Sequence, residues 1–112
     1  MSVSDRDRAV LEDIRSFGRE AEELVSRGWP AYDGDVMLQR AAQMICVNLG
    51  EAAKRLSLEV VELHPDIRFG LMIALRDKVA HGYRIVDPQV IWDTIATAVP
   101  EDIARVEVLL RR

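Results

Sequence analysis

Apolar residues recur every three or four positions along nearly the whole chain, and no stretch shows the strict alternation of a half-buried strand. Proline and glycine separate these periodic stretches and mark short turns. The pattern therefore predicts an all-α fold, an antiparallel bundle of about five to six helices joined by short connections. A chain of 112 residues suits a single domain over residues 1–112.

Capping signals predict the bounds of the first two long helices. We expect the first helix over 5–26, capped by Ser4, and the second over 36–56, capped by Asp35. The expected apolar stripe of the first is Val10, Ile14, Phe17, Ala21 and Leu24. The expected broad apolar face of the second is Met37, Ala41, Met44, Ile45, Leu49, Ala52 and Leu56.

Similar signals divide the second half of the chain. Ser57 is expected to cap a short helix that ends near His64, and 66–82 to hold the next helix. The Asp-Pro pair at 87–88 predicts another start, and Pro100 predicts a restart into the last helix. The residues expected to face inward are Leu71, Leu75, Val79, Ile91, Ile95, Ala98, Ile103, Val106 and Leu110.

Composition and charge argue against several classes of protein for this chain. The net charge of −4 argues against a general nucleic-acid coat protein, although it leaves room for a local basic site. No apolar run reaches membrane-spanning length, and the charged N-terminus does not look like a signal peptide. The single Cys46 cannot form an internal disulfide. We therefore expect a cytoplasmic protein without a membrane partner.

The segment 76–83, Arg-Asp-Lys-Val-Ala-His-Gly-Tyr, concentrates groups capable of chemistry. Asp77 and His81 are four residues apart and share a helix face, so the carboxylate is expected to favour and orient a protonated imidazole. Gly82 is expected to end the helix. Arg76 lies about 140° around an ideal helix from His81. The two converge only if the helix end unwinds or if two copies of the helix meet across a dimer.

Arginine, histidine and tyrosine near a cleft suit phosphodiester chemistry. His81 can move the proton of an attacking 2′-hydroxyl or of the leaving oxygen, and Arg76 can hold the developing phosphorane charge. Tyr83 can reach the same space, and Lys78 and Arg84 add positive charge. No residues have metal-ligand spacing, so neither a metal nor a cofactor is expected. The spacing also arises by chance, which leaves a capping histidine and a surface arginine as the alternative.

The motif Arg-x-x-x-x-His-x-Tyr resembles the signature of the HEPN superfamily. The resemblance extends to Asn-Leu-Gly-Glu-Ala at 48–52, His-Pro-Asp-Ile at 64–67, Val-Asp at 86–87 and Trp-Asp-Thr at 92–94. Together these segments are similar, in order and over most of the chain, to the HepT-like toxins of the HepT–MntA toxin–antitoxin systems. The chain departs from them with Arg-Phe-Gly at 68–70 and Leu75, which bears on substrate preference.

The resemblance implies a helical bundle that pairs about a two-fold axis, so that the Arg-His motifs of two subunits line one composite cleft. It implies metal-independent RNA cleavage, of tRNA in some members, with Arg76 and His81 as catalytic residues and Asp77 orienting the histidine. It also implies a partner, a minimal nucleotidyltransferase antitoxin that transfers AMP to Tyr83. The added charge and bulk would repel substrate phosphate.

Asn48 and Glu51 are polar residues in an otherwise apolar stretch. On one interpretation they line the cleft opposite Arg76 or support His81. On the other, Asn48 caps or bridges helices and Glu51 forms an ion pair with Arg55 one turn later. The remaining candidates are interpreted as structural: Cys46, His64, Met37, Met44, Trp29, Tyr32 and Trp92. For the three aromatic residues, stacking on nucleic-acid bases is the alternative.

Three functions remain open. The first is a toxin endoribonuclease held in check by a nucleotidyltransferase. The second is a non-catalytic HEPN module that docks such a partner or a nucleotide. The third is a dimerisation domain in which Arg76 and His81 make interface salt bridges.

Overall fold

The computed structural model describes residues 3–82 and 86–112, and within them every regular element is helical, as predicted. The elements are α1 (Asp5–Val25), α2 (Trp29–Asp33), α3 (Val36–Lys54), α4 (Leu58–Leu63), α5 (Phe69–Gly82), α6 (Pro88–Asp93), a π-helical turn (Thr94–Ala98) and α7 (Val99–Leu110). The last three follow one another without a break. These residues therefore form an all-α bundle of six helices, with α6, the π turn and α7 as one helix.

The predicted caps are confirmed. Each side-chain oxygen accepts a hydrogen bond from a backbone N–H in the first turn, which would otherwise lack a partner. The pairs are Ser4 with Asp7 at 3.1 Å, Asp35 with Met37 at 2.8 Å, Ser57 with Val60 at 3.3 Å and Asp87 with Gln89 at 2.8 Å.

Asp7 has a second partner that the capping signal did not reveal. Its buried carboxylate accepts hydrogen bonds from the Ser57 backbone N–H at 2.9 Å and from the Ser57 hydroxyl at 2.7 Å. The N-terminus of α1 is thereby tied to the cap of α4. Burial pushes the pKa of Asp7 up, but the hydrogen bonds from Ser57 and Ser4 outweigh it and leave the pKa below its ordinary value.

Two local predictions differ from the structure. The short helix α2 was not predicted; it begins after Gly28, whose φ of +86° turns the chain, and Pro30 suits its first turn. The break expected at Pro100 was wrong, because the helix continues through it. A π turn ends two residues before Pro100, and its wider ring accommodates a residue that lacks an N–H and crowds the previous turn.

The core lies around α3, which packs most extensively on α5 and also contacts α1, α2 and α6. Fully buried side chains come from most of the bundle: Leu11, Ile14, Tyr32, Leu49, Phe69, Ile91, Ile95 and Val106. The Tyr32 hydroxyl donates a hydrogen bond to the Pro88 carbonyl at 2.7 Å, which joins α2 to the start of α6. No helix in the described ranges is both long and apolar enough to cross a membrane.

The predicted face of α3 was partly wrong. Met37 is 73% exposed, and Ala41 and Met44 are also exposed rather than packed. Ile45, Leu49, Ala52 and Leu56 are buried as predicted. The rest of the buried face of α3 consists of small residues that let neighbouring helices approach: Ala42, Cys46, Gly50 and Ala53. Leu71, expected to face inward from α5, is 64% exposed. Among the described residues, several apolar side chains of α3 and α5 are therefore left exposed.

Candidate functional site: a cluster of charged residues between α3 and α5

Helix α5 carries both predicted catalytic residues, and it remains helical from Phe69 through Gly82. His81 lies in its last turn, as predicted, and Arg76 lies five residues earlier. Because the helix does not unwind between them, the two side chains stay on different sides of it. The first of the two predicted routes to convergence is therefore wrong for a single chain.

Arg76 is held by two carboxylates. Its Nε forms an ion pair with Glu51 Oε1 of α3, and its Nη1 lies 3.0 Å from Asp77 Oδ1. The hydrogen bond to Asp77, with a further contribution from Glu51, raises the pKa of Arg76 despite the opposing effect of desolvation. The guanidinium is thus a fixed positive charge in a defined orientation, as binding of an anionic group requires.

Gly50 is the reason that Arg76 can lie so close to α3, and sequence reasoning did not single it out. A Cβ placed on Gly50 would overlap Arg76 Cβ and lie 2.7 Å from the Met72 carbonyl oxygen. Only a glycine permits this approach of the two helices. The signal available in the sequence was a glycine inside a helix, next to the polar residue Glu51.

Asp77 holds a second cation as well as Arg76. Its Oδ1 is also 3.1 Å from Nζ of Lys54, the last residue of α3. The hydrogen bonds from Arg76 and Lys54 keep the pKa of Asp77 below its ordinary value. The carboxylate is therefore charged and faces two cations.

His81 is oriented by Asp77, but through a different atom from the one predicted. Its Nδ1 lies 2.7 Å from the backbone carbonyl oxygen of Asp77, whereas the Asp77 carboxylate contacts Arg76 and Lys54. A carbonyl oxygen can only accept, so Nδ1 carries the proton and donates it. The exposed ring then presents Nε2 for proton exchange with a bound molecule.

The structure separates the two interpretations of Glu51. It contacts Arg76 and not Arg55, whose guanidinium instead lies 3.3 Å from the Asp13 carboxylate. Asn48 is partly exposed, and its side chain makes no hydrogen bond with the residues that the structure describes. Glu51 therefore belongs to the Arg76 cluster, and no hydrogen bond among the described residues joins Asn48 to it.

The other predicted site residues lie near the end of α5. Lys78 is exposed and shares an open depression with His81, Asp87 and Val90. Tyr83 and Arg84 lie outside the described residues. Within the ranges 3–82 and 86–112, no group of three potential ligands is placed to bind a metal ion.

The residues interpreted as structural are packed accordingly, apart from the two exposed methionines. Burial raises the pKa of the Cys46 thiol to about 12, which leaves it unreactive. The rings of Trp29, Tyr32 and Trp92 pack against one another with centroids 5.0 to 5.7 Å apart. Because Tyr32 is fully buried, its ring is not available to stack on a base.

A family model described as "Ribonuclease HepT-like" matches residues 10–109. The chain belongs to this family. The match covers both helices of the cluster and agrees with the resemblance in the motif around His81. No solved structure matches the chain.

Three relatives show the extent of the similarity. "Putative RNase MJ0127" of Methanocaldococcus jannaschii is 31% identical over 77 residues, which are 69% of this chain and 64% of that protein. "Probable ribonuclease HepT" of Thermococcus cleftensis is 38% identical over 52 residues, 46% of this chain and 47% of that protein. "Putative RNase TTE0752" of Caldanaerobacter subterraneus subsp. tengcongensis is 31% identical over 109 residues, 94% of this chain and 95% of that protein.

Proposed function

We propose that this protein is a metal-independent endoribonuclease and the toxin of a toxin–antitoxin system. The observation that carries the proposal is the Asp77 carbonyl, which fixes the His81 ring with Nε2 free, on the same helix as the fixed guanidinium of Arg76. Membership of a ribonuclease family supports the same activity.

The proposed reaction needs removal of a proton from the attacking hydroxyl, donation of a proton to the leaving oxygen, and stabilisation of the negative charge on the phosphorane. His81 Nε2 accepts the proton of a ribose 2′-hydroxyl, whose oxygen attacks the neighbouring phosphorus. Arg76 donates to the phosphorane oxygens as negative charge develops there. The bond from phosphorus to the 5′-oxygen breaks, and that oxygen takes a proton from an imidazolium. The products are a 2′,3′-cyclic phosphate and a 5′-hydroxyl end.

We propose that two copies of the chain form the cleft. On one α5 helix Arg76 and His81 point to different sides, so a second helix can supply the missing partner of each. The exposed Leu71 and the partly exposed Leu75 line a groove of about 260 Å³ along α5, where an apolar contact with the second copy can form. The second histidine would serve as the acid when the first serves as the base.

We further propose that a nucleotidyltransferase antitoxin silences the site by transferring AMP to Tyr83. This residue is two positions after His81, so the added phosphate enters the region where substrate phosphate binds. Like charges at close range and the bulk of the nucleotide exclude RNA. The first class of RNA to test as a substrate is tRNA, because the family resemblance implies tRNA cleavage in some members.

Growth after induction of the protein alone tests the activity. Wild type should arrest growth, and Arg76→Ala or His81→Ala should restore it, because each removes a group that acts in the transition state. Purified wild type should cleave RNA in the presence of EDTA and leave 5′-hydroxyl ends. Equal toxicity of the variants, or strict dependence on a divalent metal, would contradict the proposed mechanism.

The role of Tyr83 is tested separately by mass spectrometry. Incubation with the nucleotidyltransferase partner and ATP should add one or more AMP masses to wild type and none to Tyr83→Phe. The variant should stay toxic in the presence of the partner. Addition of AMP to Tyr83→Phe at the wild-type level would place the modification elsewhere.

The non-catalytic binding module is the second candidate. It is favoured by the ion pairs of Arg76 with Glu51 and Asp77, which also suit a structural role. In that case neither wild type nor His81→Ala would cleave cellular RNA or arrest growth, so cells that express the two proteins would look the same.

A further inference from the structure

Lys54 was not among the predicted site residues, yet it lies in the same cluster as Arg76. Its Nζ is 3.1 Å from Asp77 Oδ1, and Arg76 Nη1 is 3.0 Å from that same oxygen. Two cations that share one acceptor atom must lie close together. Arg76 Nη1 and Lys54 Nζ can therefore donate hydrogen bonds to oxygens of the same phosphate.

The charges of the cluster are not arranged evenly. Glu51 meets Arg76 at Nε, where both contacting atoms are shielded from solvent. On the outer side the single negative charge of Asp77 faces both Arg76 Nη1 and Lys54 Nζ. Glu51, whose side chain is 42% exposed, balances the second positive charge, so the cluster as a whole is neutral. An anion that approaches from solvent therefore has to be held by hydrogen bonds as well as by charge.

Lys54 is also free to change its partner. Its side chain is 39% exposed, and an ammonium group has three donors on a flexible stem. It can keep Asp77 and donate to a second acceptor at the same time. A role limited to the end of α3 would place the ammonium near the last carbonyls of that helix, whereas its hydrogen bond goes to a carboxylate of α5.

We propose that Lys54 binds the RNA backbone beside Arg76. Asp77 keeps the two cations next to each other, so that both can contact the same stretch of backbone. This inference rests on the proposed function, since it assigns a substrate-binding residue to that reaction. Lys54 takes no part in proton transfer. It contributes to the affinity for RNA and hardly at all to the rate of the chemical step.

The neighbouring residue Arg55 provides a matched control. It also carries one positive charge and one ion pair, but its partner is Asp13 of α1, away from Arg76. Lys54→Met and Arg55→Met therefore remove the same charge from adjacent positions. Two measurements distinguish them: binding of a fluorescein-labelled tRNA pool at several salt concentrations, and steady-state cleavage of the same RNA.

Lys54→Met should raise KM about three- to tenfold with kcat changed less than about twofold, as expected for one lost charged contact. It should lower the slope of log affinity against log salt by about 0.7 to 1. Arg55→Met should match wild type in KM and in the salt slope, and Lys54→Arg should recover most of the affinity for RNA. Both Met variants should unfold at the wild-type temperature.

The outcomes separate this inference from the proposed function. If wild type cleaves RNA and Lys54→Met behaves like Arg55→Met, the inference about Lys54 is wrong and the nuclease stands. If wild type binds RNA without cleaving it, and only Lys54→Met lowers the slope of log affinity against log salt, the proposed nuclease activity is wrong and the RNA contact of Lys54 stands. If wild type neither cleaves nor binds RNA, both are overturned. A fall in kcat without a change in KM would also exclude a binding role.

Discussion

Glu51 forms an ion pair with Arg76 from the neighbouring helix, at a side of the guanidinium that solvent does not reach. Asp77 alone cannot fix the orientation of the guanidinium plane, because it contacts only one terminal nitrogen. Glu51 is thus a positioning residue for Arg76. The interpretation that paired it with Arg55 missed this contact, because helix spacing reports neighbours on one helix and not across two.

We predict that Glu51→Gln lowers kcat/KM for RNA cleavage by about ten- to a hundredfold, since small displacements of a group that stabilises the transition state are costly. Glu62→Gln, at an exposed position of α4, is the control and should have wild-type activity. Wild-type kinetics for Glu51→Gln would show that Asp77 suffices to place Arg76.

Asp7 links pH to stability. Its pKa is lower in the folded protein than its ordinary value because hydrogen bonds from Ser57 and Ser4 outweigh desolvation. Its contribution is therefore fully present above the ordinary aspartate pKa and is lost as pH falls through the folded-state pKa. Asp7→Asn should lower the free energy of unfolding by about 1–2 kcal/mol at neutral pH.

Urea unfolding of wild type and Asp7→Asn at a series of pH values measures this. The difference between them should shrink in acid, because protonation then removes the same charge from wild type. Asp5→Asn changes an exposed carboxylate in the same helical turn and serves as control. A difference that stays constant down to the lowest pH would show that the Asp7 charge is not involved.

The crossing of α3 and α5 is the element-scale feature on which the site depends. Gly50→Ala should lower the free energy of unfolding by about 1–3 kcal/mol, because its methyl group overlaps Arg76 Cβ and crowds the Met72 carbonyl. Separation of the helices would also move Arg76, so cleavage should fall even where the variant is folded.

Gly70→Ala is the matched control within α5. A Cβ at Gly70 meets nothing within 4 Å, so an alanine there should keep activity and raise stability by up to about 1 kcal/mol through helix propensity. Thermal unfolding and RNA cleavage of the two variants compare a glycine needed for helix packing with one that is not. Equal stability of both variants would mean that the helices adjust freely at Gly50.

For the whole molecule, the proposed dimer makes a specific prediction. Leu71 is 64% exposed on α5 and lines the groove, so Leu71→Arg should leave the fold intact but separate the copies. Sedimentation should show a monomer, and cleavage should be lost although Arg76 and His81 are unchanged. Leu58→Arg, at a similarly exposed leucine of α4 outside the groove, should remain dimeric and active. An active Leu71→Arg monomer would refute the composite cleft.

The sequence by itself determined the helical class, most helix ends and the residues of the motif. These follow from local physics: side-chain caps satisfy the first N–H groups at Ser4, Asp35, Ser57 and Asp87, and helical periodicity needs no distant partner. The resemblance in the motif likewise found the family before any contact was known.

Only the tertiary structure decided which groups meet. The ion pairs of Glu51 with Arg76 and of Lys54 with Asp77 join two helices, and the closeness of α3 to α5 depends on the missing side chain of Gly50. The exposure of Met37 had the same origin, because periodicity identifies an apolar stripe but not the helix that covers it. Contacts between helices depend on crossing geometry, which the spacing of residues along one helix does not contain.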